Sequence, residues 1–356
     1  MKYIKTVFAI LCLASNAFSQ KINVEAVSKF WTVVDYLKTD KPLTDSVWNS
    51  YYNLVGNKTY MENNRSQENV LDHRKYLELV FRPSLADSLK KTEKIKNKDQ
   101  NEDIFQNLYF IKQYEVALRK YSKEIESPDY LVQSINLAKK FLPKNKYNPI
   151  PANLTIYIMA ITYDAAVQDP NMYFGLACVY DLDKFQKGSI AAHELHHVLR
   201  KSRAWASNLS TTDSASFFII DQINNEGCAD LIDKQIFVDH AAQIVIGELV
   251  KSMLLGEAEN TIRLLDSCFI VNAKSTTKFT TVANFKEITK YFSGHLPGFY
   301  MADIIKQNGY MQGLIENCDN PFNIFYLYNQ AAKQDKRKPT MFSAEAIKYL
   351  KYLESK

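Results

Sequence analysis

One stretch of the sequence decides how the rest is read: GSIAAHELHHVLR, which runs from Gly188 to Arg200. It contains the pattern HExxH on a predicted helix, where a spacing of four residues brings His193 and His197 onto one face, one turn apart. Both imidazoles can then reach a single ion. Glu194 lies beside them, where it can accept a proton from a water on that ion rather than bind the ion itself. The stretch therefore predicts a metal-activated water with a carboxylate as its base.

A third ligand is expected on a later helix. Residues 217–234, FFIIDQINNEGCADLIDK, have a helical pattern in which Asp230 follows Glu226 at a spacing of four, so both carboxylates share one face. Unpaired charge is costly in so apolar a helix, and this favours a functional role over solvated acids. We expect Glu226 to ligate and Asp230 to accept the other ring N–H of a ligand histidine. Two imidazoles and a carboxylate suit Zn²⁺ with one open position.

The motifs also carry a resemblance to a known family. HExxH followed by NExxxD resembles the gluzincins, the thermolysin-like clan of zinc peptidases. The longer string HELHHVLR, NEGCADLID and GHLPGFYMA is similar to a family of exported bacterial zinc-dependent peptidases, over roughly residues 150–310. The metzincin pattern is excluded, because Arg200 and Arg203 stand where it needs Gly and His. The resemblance implies a zincin-like core with a zinc-bound His193, His197 and Glu226, the base Glu194 and the supporting carboxylate Asp230.

Two further features of the catalytic site are expected. In gluzincins a strand runs antiparallel to the substrate just before the HExxH helix, and Tyr173–Val179 occupies that place, with Gly175 allowing close approach of a peptide. An ordinary buried strand with a bulge is the open alternative. Attack on a carbonyl also develops an oxyanion, so a donor is wanted opposite Glu194. The candidates are His295 and Tyr300, against the alternatives of a helix-capping histidine and a core tyrosine.

The pattern along the chain predicts a mainly α fold with a small β-sheet (α+β). Consecutive amphipathic helices fill a helical N-terminal region, residues 20–148, and a proline-rich stretch separates it from a zincin-like metallopeptidase domain, residues 149–356. The segments Leu154–Thr162 and Tyr173–Leu182 are rich in β-branched and aromatic residues and predict two strands. Helical patterning resumes at Ser189.

Residues 1–19 read as a secretory signal peptide, in which Lys2 and Lys5 precede a short apolar stretch and a small-residue cleavage site. The protein is therefore expected to be secreted or periplasmic, with no stable membrane anchor. Processing lowers the formal charge from +5 to +3, and the basic residues are scattered, so no nucleic-acid partner is expected. The sequence does not decide whether the remaining cysteines form two disulfides or are free buried thiols. These cysteines are Cys178, Cys228, Cys268 and Cys318.

The function expected is a zinc peptidase that hydrolyses amide bonds in a peptide or protein substrate. One rival is a di-iron carboxylate bundle, because Glu194 and His197 also satisfy its E-x-x-H spacing, but such sites need the motif twice and the chain has it once. Another is an exported binding module with a vestigial zinc site, against which the intact Glu194 argues.

The other histidines and Arg200 are not expected in the catalytic site. A surface position is expected for His73, and a structural or supporting role for His196, Arg200 and His240.

Overall fold

The computed structural model describes residues 20–94, 102–144, 146–168, 170–203, 209–275, 277–290 and 293–356. The predicted signal peptide, residues 1–19, lies outside the described residues. Within them, every helix is too short or too polar to pass through a lipid bilayer. The chain forms two compact units, one made of residues 20–133 and 150–187 and the other of residues 134–149 and 188–356. The domain boundary near residue 148 stays a prediction.

The first unit combines a small sheet with helices, most of which lie between the first and second strands along the chain. Its helices are α1 Glu25–Lys38, α2 Asp45–Tyr52, α3 Val55–Asn64, α4 Gln67–Phe81, α5 Ala86–Lys94, α6 Glu102–Gln113, α7 Glu115–Glu124, the start of α8 Pro128–Lys139, and α9 Leu176–Asp183. Apolar residues at helical spacing fill the interior, and Phe30 packs edge-on against Trp31 and Phe81. These buried rings explain why the amphipathic pattern of the N-terminal region predicts its helices correctly.

The sheet is small and mixed. Its four strands lie in the order β1 Lys21–Asn23, β2 Thr155–Met159, β4 Asn171–Gly175 and β3 Ala165–Gln168. β2 is parallel to both β1 and β4, whereas β3 is antiparallel to β4. The strand predicted over residues 154–162 is confirmed in its centre, and the mainly α fold with a small β-sheet is confirmed as well. β1 and β3 escape the sequence pattern because they have only three and four residues.

The second predicted strand, Tyr173–Leu182, is correct only in its first residues. β4 ends at Gly175, and the helix Leu176–Asp183 follows without a loop. Most of this segment is buried, so its apolar residues show neither the period of a strand nor that of a helix. The β-branched and aromatic composition was therefore a misleading guide here.

The prediction that Tyr173–Val179 lies along a bound substrate is wrong. β4 is an interior strand with β2 on one side and β3 on the other, so it offers no edge to a peptide. The small residue at Gly175 serves the protein's own chain, because a Cβ there would lie 2.1 Å from the carbonyl oxygen of Thr162. The alternative of an ordinary buried strand holds for Tyr173–Gly175 only, because a helix begins at Leu176.

The second unit is all helical. Its helices are the end of α8, then α10 Ser189–Leu199, α11 Thr211–Asp239, α12 Gly247–Gly256, α13 Ala258–Lys274, α14 Val282–Ile288, α15 His295–Gln307, α16 Met311–Glu316, α17 Asn323–Gln334 and α18 Ala344–Glu354. α11 is the longest of them, and α10 and α15 both pack against it. The four cysteines within the described ranges, which are Cys178, Cys228, Cys268 and Cys318, are free thiols, and this resolves the choice that the sequence left open.

His73 is buried, and the prediction of a surface position is wrong. It lies on α4 with 1% of its surface exposed, and its ring is 5.8 Å from that of Trp48 and 6.1 Å from that of Tyr51. Neither ring nitrogen has a hydrogen-bond partner among the described residues. Burial, with a smaller contribution from Arg65, lowers the pKa of His73 to about 3.

This burial predicts a loss of stability in mild acid. Because the pKa of His73 in the folded state lies below the value of about 6.5 in an unfolded chain, only the unfolded state takes up the proton as the pH falls through that interval. The free energy of unfolding should lose about 1.4 kcal/mol per pH unit from this residue between pH 6.5 and 3. In His73→Phe, which keeps a flat ring between its neighbours, that part of the slope should disappear. Urea unfolding at several pH values measures it, and equal slopes in the two proteins would contradict the account.

Candidate metal centre

The helix α10 carries the HExxH residues. It starts after Gly188, whose φ of 79° is left-handed and whose missing side chain leaves room for Ser134, because a Cβ would lie 2.4 Å from the Ser134 hydroxyl oxygen. One face of the helix then holds His193 and His197, with side chains 3% and 19% exposed. The pattern that the sequence predicted on a helix is therefore found on one.

Three side-chain atoms from α10 and α11 converge. Nε2 of His193 lies 3.0 Å from Nε2 of His197, and Oε2 of Glu226 lies 3.5 Å from the first and 3.3 Å from the second. The three atoms form a nearly equilateral triangle. The sequence analysis predicts that His193, His197 and Glu226 converge from two helices, and the distances agree with that prediction.

The triangle has the dimensions of a zinc site. Zn–N and Zn–O bonds of about 2.0–2.1 Å in a tetrahedron separate neighbouring ligand atoms by about 3.3–3.4 Å, close to the three distances found. Oε2 of Glu226 is buried and has no hydrogen-bond partner among the described residues, as expected for an atom that needs a cation. Two imidazoles and a carboxylate are also ligands that Zn²⁺ prefers. The residues present therefore fit a zinc ion.

Glu194 lies next to the triangle without being part of it. It is half-buried, and one of its carboxylate oxygens is within 4.8 Å of ring nitrogens of His193 and His197. Glu194 is therefore close to the two ring nitrogens that converge with Glu226. The role of base that the sequence predicts for Glu194 stays a prediction.

A row of acids continues along α11 beneath the triangle. Glu226, Asp230 and Asp233 follow one another at spacings of four and three, which places them on one face of the helix. Asp233 is a residue that our sequence reasoning missed. It accepts a 2.8 Å hydrogen bond from Nδ1 of His193 and so fixes the tautomer that turns Nε2 toward the triangle. Its spacing of seven residues from Glu226 was the available signal.

Asp230 has a different partner from the one expected. Its Oδ1 lies 3.8 Å from Nδ1 of His193 but accepts a 2.8 Å hydrogen bond from Nδ1 of His295. The two acids therefore have different partners. Asp233 accepts a hydrogen bond from His193 of the HExxH motif, and Asp230 accepts one from His295. Lys234, also missed by sequence reasoning, contacts Asp233 through an Nζ–Oδ2 distance of 2.7 Å.

The charges of the row depend on these contacts. Burial opposes ionisation of Glu226, but His295 and His197 outweigh it and hold the pKa of Glu226 well below its usual range. Burial likewise opposes a proton on His295, yet Asp230 and Glu226 raise the pKa of His295. The contacts between these groups therefore favour an ionised carboxylate on Glu226 and a protonated imidazole on His295.

His295 reaches this row because two helices touch through glycines. α15 begins at His295, directly after Gly294, whose φ of 100° is left-handed. A Cβ on Gly227 of α11 would lie 2.6 Å from the carbonyl oxygen of Gly298 on α15, and a Cβ on Gly298 would lie 2.6 Å from that of Ile223. The two backbones are therefore in direct contact one turn from His295. Gly227 and Gly298 therefore set the distance between α11 and α15.

Tyr300 points to another group. Its hydroxyl donates a 3.1 Å hydrogen bond to Oε1 of Glu259, and its ring lies 6.4 Å from that of Tyr328. Of the two donors predicted from the sequence, the structure brings His295 to Glu226 and Asp230 and gives Tyr300 a partner on α13 instead.

His196 and Arg200 fix α10 within the unit. The His196 ring is buried and donates from Nε2 to the carbonyl oxygen of Phe141 at 3.2 Å. The Arg200 guanidinium donates to the carbonyl oxygen of Cys318 and to Asp221, both at 3.2 Å. These contacts are structural, in the sense expected from the sequence, and they orient the face that carries the HExxH histidines.

The described side chains of the site differ in their exposure to solvent. Its acidic floor is closed, since the side chains of Asp230 and Asp233 are 0% and 4% exposed. The other side is accessible, because His197 is 19% and His295 is 25% exposed. A molecule can therefore reach the triangle from the side of these two histidines.

The glycine contact gives a stability prediction. Gly298→Ala adds a methyl group against the backbone of Ile223, so the helices must separate, and overpacking of this kind costs about 1–3 kcal/mol. Gly313→Ala is the matched control, because its nearest neighbour is the Leu327 side chain at 3.6 Å and alanine favours the helix. Urea unfolding should show a loss for the first variant and none for the second. Equal stability of both variants would refute the proposed close contact.

Comparisons with known proteins complete the description of the site. No match is found among curated proteins or among solved structures. Residues 48–337 match the model of a family described as "Putative zinc dependent peptidase (DUF5700)", and this range includes every residue of the site. Because the match covers most of the chain, this protein belongs to the zinc-dependent peptidase family DUF5700.

Proposed function

We propose that the protein is an exported gluzincin-like zinc peptidase that hydrolyses amide bonds, with Glu194 as its general base. The observation that carries the proposal is the triangle of His193, His197 and Glu226, whose edges of 3.0, 3.5 and 3.3 Å suit one zinc ion. A zinc ion held there would supply a Lewis acid that polarises the substrate carbonyl and makes a water more acidic.

Glu194 moves the proton in this proposal. One of its carboxylate oxygens lies within 4.8 Å of ring nitrogens of His193 and His197. From there it takes a proton from the attacking water and later passes it to the leaving amine. A carboxylate that bound the ion could not accept the proton as readily, so its position next to the triangle supports the role of base.

His295 supports the oxyanion. Asp230 holds Nδ1 of the ring, which leaves Nε2 for the substrate, and the neighbouring carboxylates favour a proton on this imidazole. A protonated ring on the open side of the site can donate a hydrogen bond to the oxygen that gains negative charge. Tyr300 is left out of the mechanism, because its hydroxyl is bound to Glu259.

Export and the division of the chain belong to the proposal as well. The pattern of residues 1–19 supports a cleaved signal peptide, secretion or delivery to the periplasm, and action on peptides outside the cytoplasm. We retain a helical N-terminal region, residues 20–148, and a zincin-like catalytic domain, residues 149–356, as the proposed organisation. Mass spectrometry of the N-terminus of the exported protein would test the cleavage before Gln20.

Replacement of the base gives the direct test. Glu194→Gln keeps the shape of the side chain and the three ligands, so it should bind zinc as the wild type does while kcat falls about 100- to 10,000-fold. Zinc content is measured by elemental analysis and hydrolysis by mass spectrometry of a peptide mixture. His197→Ala is the companion variant and should lose the zinc itself. Full activity in Glu194→Gln would refute the mechanism, and zinc without hydrolysis in the wild type would favour a binding module.

A second pair of variants shows which of the two predicted hydrogen-bond donors, His295 or Tyr300, supports the oxyanion. His295→Ala should lower kcat and kcat/KM together by about 100- to 1,000-fold, because it removes a hydrogen bond that matters in the transition state. Tyr300→Phe should have kinetic constants close to those of the wild type. Steady-state kinetics on one cleaved peptide measures both variants. A large loss in Tyr300→Phe with none in His295→Ala would reverse the assignment.

A further inference from the structure

We propose that Lys234 is a positioning residue of the metal centre, whose ammonium group holds Asp233 against the ligand His193. The inference rests on the proposed zinc site and extends it to a residue that is neither a ligand nor a base. It concerns zinc binding, so it can be tested without a peptide substrate.

The first argument is the way that Asp233 uses its two oxygens. Oδ1 accepts the hydrogen bond from Nδ1 of His193 at 2.8 Å, and Oδ2 lies 2.7 Å from Nζ of Lys234. With both oxygens engaged, the carboxylate has one orientation. The ring of His193 then has one orientation too, with Nε2 in the triangle.

The second argument is the position of Lys234 relative to the other acid. It follows Asp230 at a spacing of four residues on α11, and its Nζ lies 4.0 Å from Oδ1 of Asp230. The same ammonium therefore stands next to the carboxylate that holds His295. Its side chain is 22% exposed, so water weakens these contacts little compared with those of a surface lysine.

The third argument is charge balance. Four carboxylates surround the site, from Glu194, Glu226, Asp230 and Asp233. A zinc ion would balance two of these negative charges, and Lys234 supplies a further positive charge within 4.0 Å of two of the carboxylates. Without Lys234, Asp233 would be a buried carboxylate whose second oxygen lacks a partner. A buried charge without its partner is strongly destabilising, so the carboxylate would leave its present position.

The direction in which zinc affinity changes when Lys234 is replaced tests whether Lys234 positions Asp233. A nearby ammonium repels a cation, so if Lys234 acted only through its charge, Lys234→Met would tighten zinc binding. If it positions Asp233, the same variant should weaken zinc binding about 10- to 100-fold, as loss of a partner of a ligand histidine does. The dissociation constant is measured by competition with a coloured zinc chelator. Unchanged or tighter binding in Lys234→Met would overturn the proposal.

A double-mutant cycle tests the route of the effect. If Lys234 acts through Asp233, then Lys234→Met should weaken zinc binding in the wild type but not further in Asp233→Asn. Independent, additive losses would overturn the proposal. Lys234→Arg, which keeps a cation that can pair with a carboxylate, should restore most of the affinity lost in Lys234→Met.

Controls separate this role from general damage and from failure of the proposed function. Lys306→Met removes a neighbouring lysine that donates to Gln235 at 3.0 Å, and it should bind zinc as the wild type does. Circular dichroism checks the fold of each zinc-free variant, and Lys234→Gln replaces Lys234→Met if the latter does not fold, again with weaker zinc binding expected. A wild type that binds no zinc would refute the proposed function and this inference together. A wild type that binds zinc no better than Lys234→Met would refute only the inference.

Discussion

Burial of acids on one face of α11 is the constraint on which the second unit depends. Glu226, Asp230 and Asp233 lie in the middle of a helix that is buried on most of its sides, and isolated negative charges are unstable in such surroundings. Their partners come from three places. α10 supplies two histidines, α15 supplies His295, and α11 itself supplies Lys234. The packing of α10 and α15 against the same part of α11 is therefore as much an electrostatic requirement as an apolar one.

The features that could be predicted from the sequence are those that depend only on the spacing of residues within one helix. Two histidines four apart on a helix share a face whatever surrounds them, and so do Glu226 and Asp230. The HExxH helix and the helical face that Glu226 and Asp230 share were predictable without knowledge of the fold. The amphipathic helices of the N-terminal region were predictable for the same reason, since a period of 3.6 residues is visible within a single helix.

The remainder depended on contacts between distant parts of the chain. Asp230 turned out to hold His295, 65 residues away, rather than a ligand histidine, and no spacing could indicate that choice. His73 is polar and looked exposed, but aromatic rings from α2 cover it. The segment after Gly175 has the composition of a strand and forms a helix, because burial on nearly all sides removes the periodicity that distinguishes the two.

The length of α11 has a consequence for how the protein would lose a metal ion. The helix has 29 residues, and Glu226, the proposed third ligand, lies near its midpoint, more than three turns from either end. Fraying at helix ends is frequent and local, and it does not extend that far. Release of a bound ion by heat should therefore coincide with cooperative melting of the whole helix, so that metal release and the loss of helical circular dichroism would follow one curve.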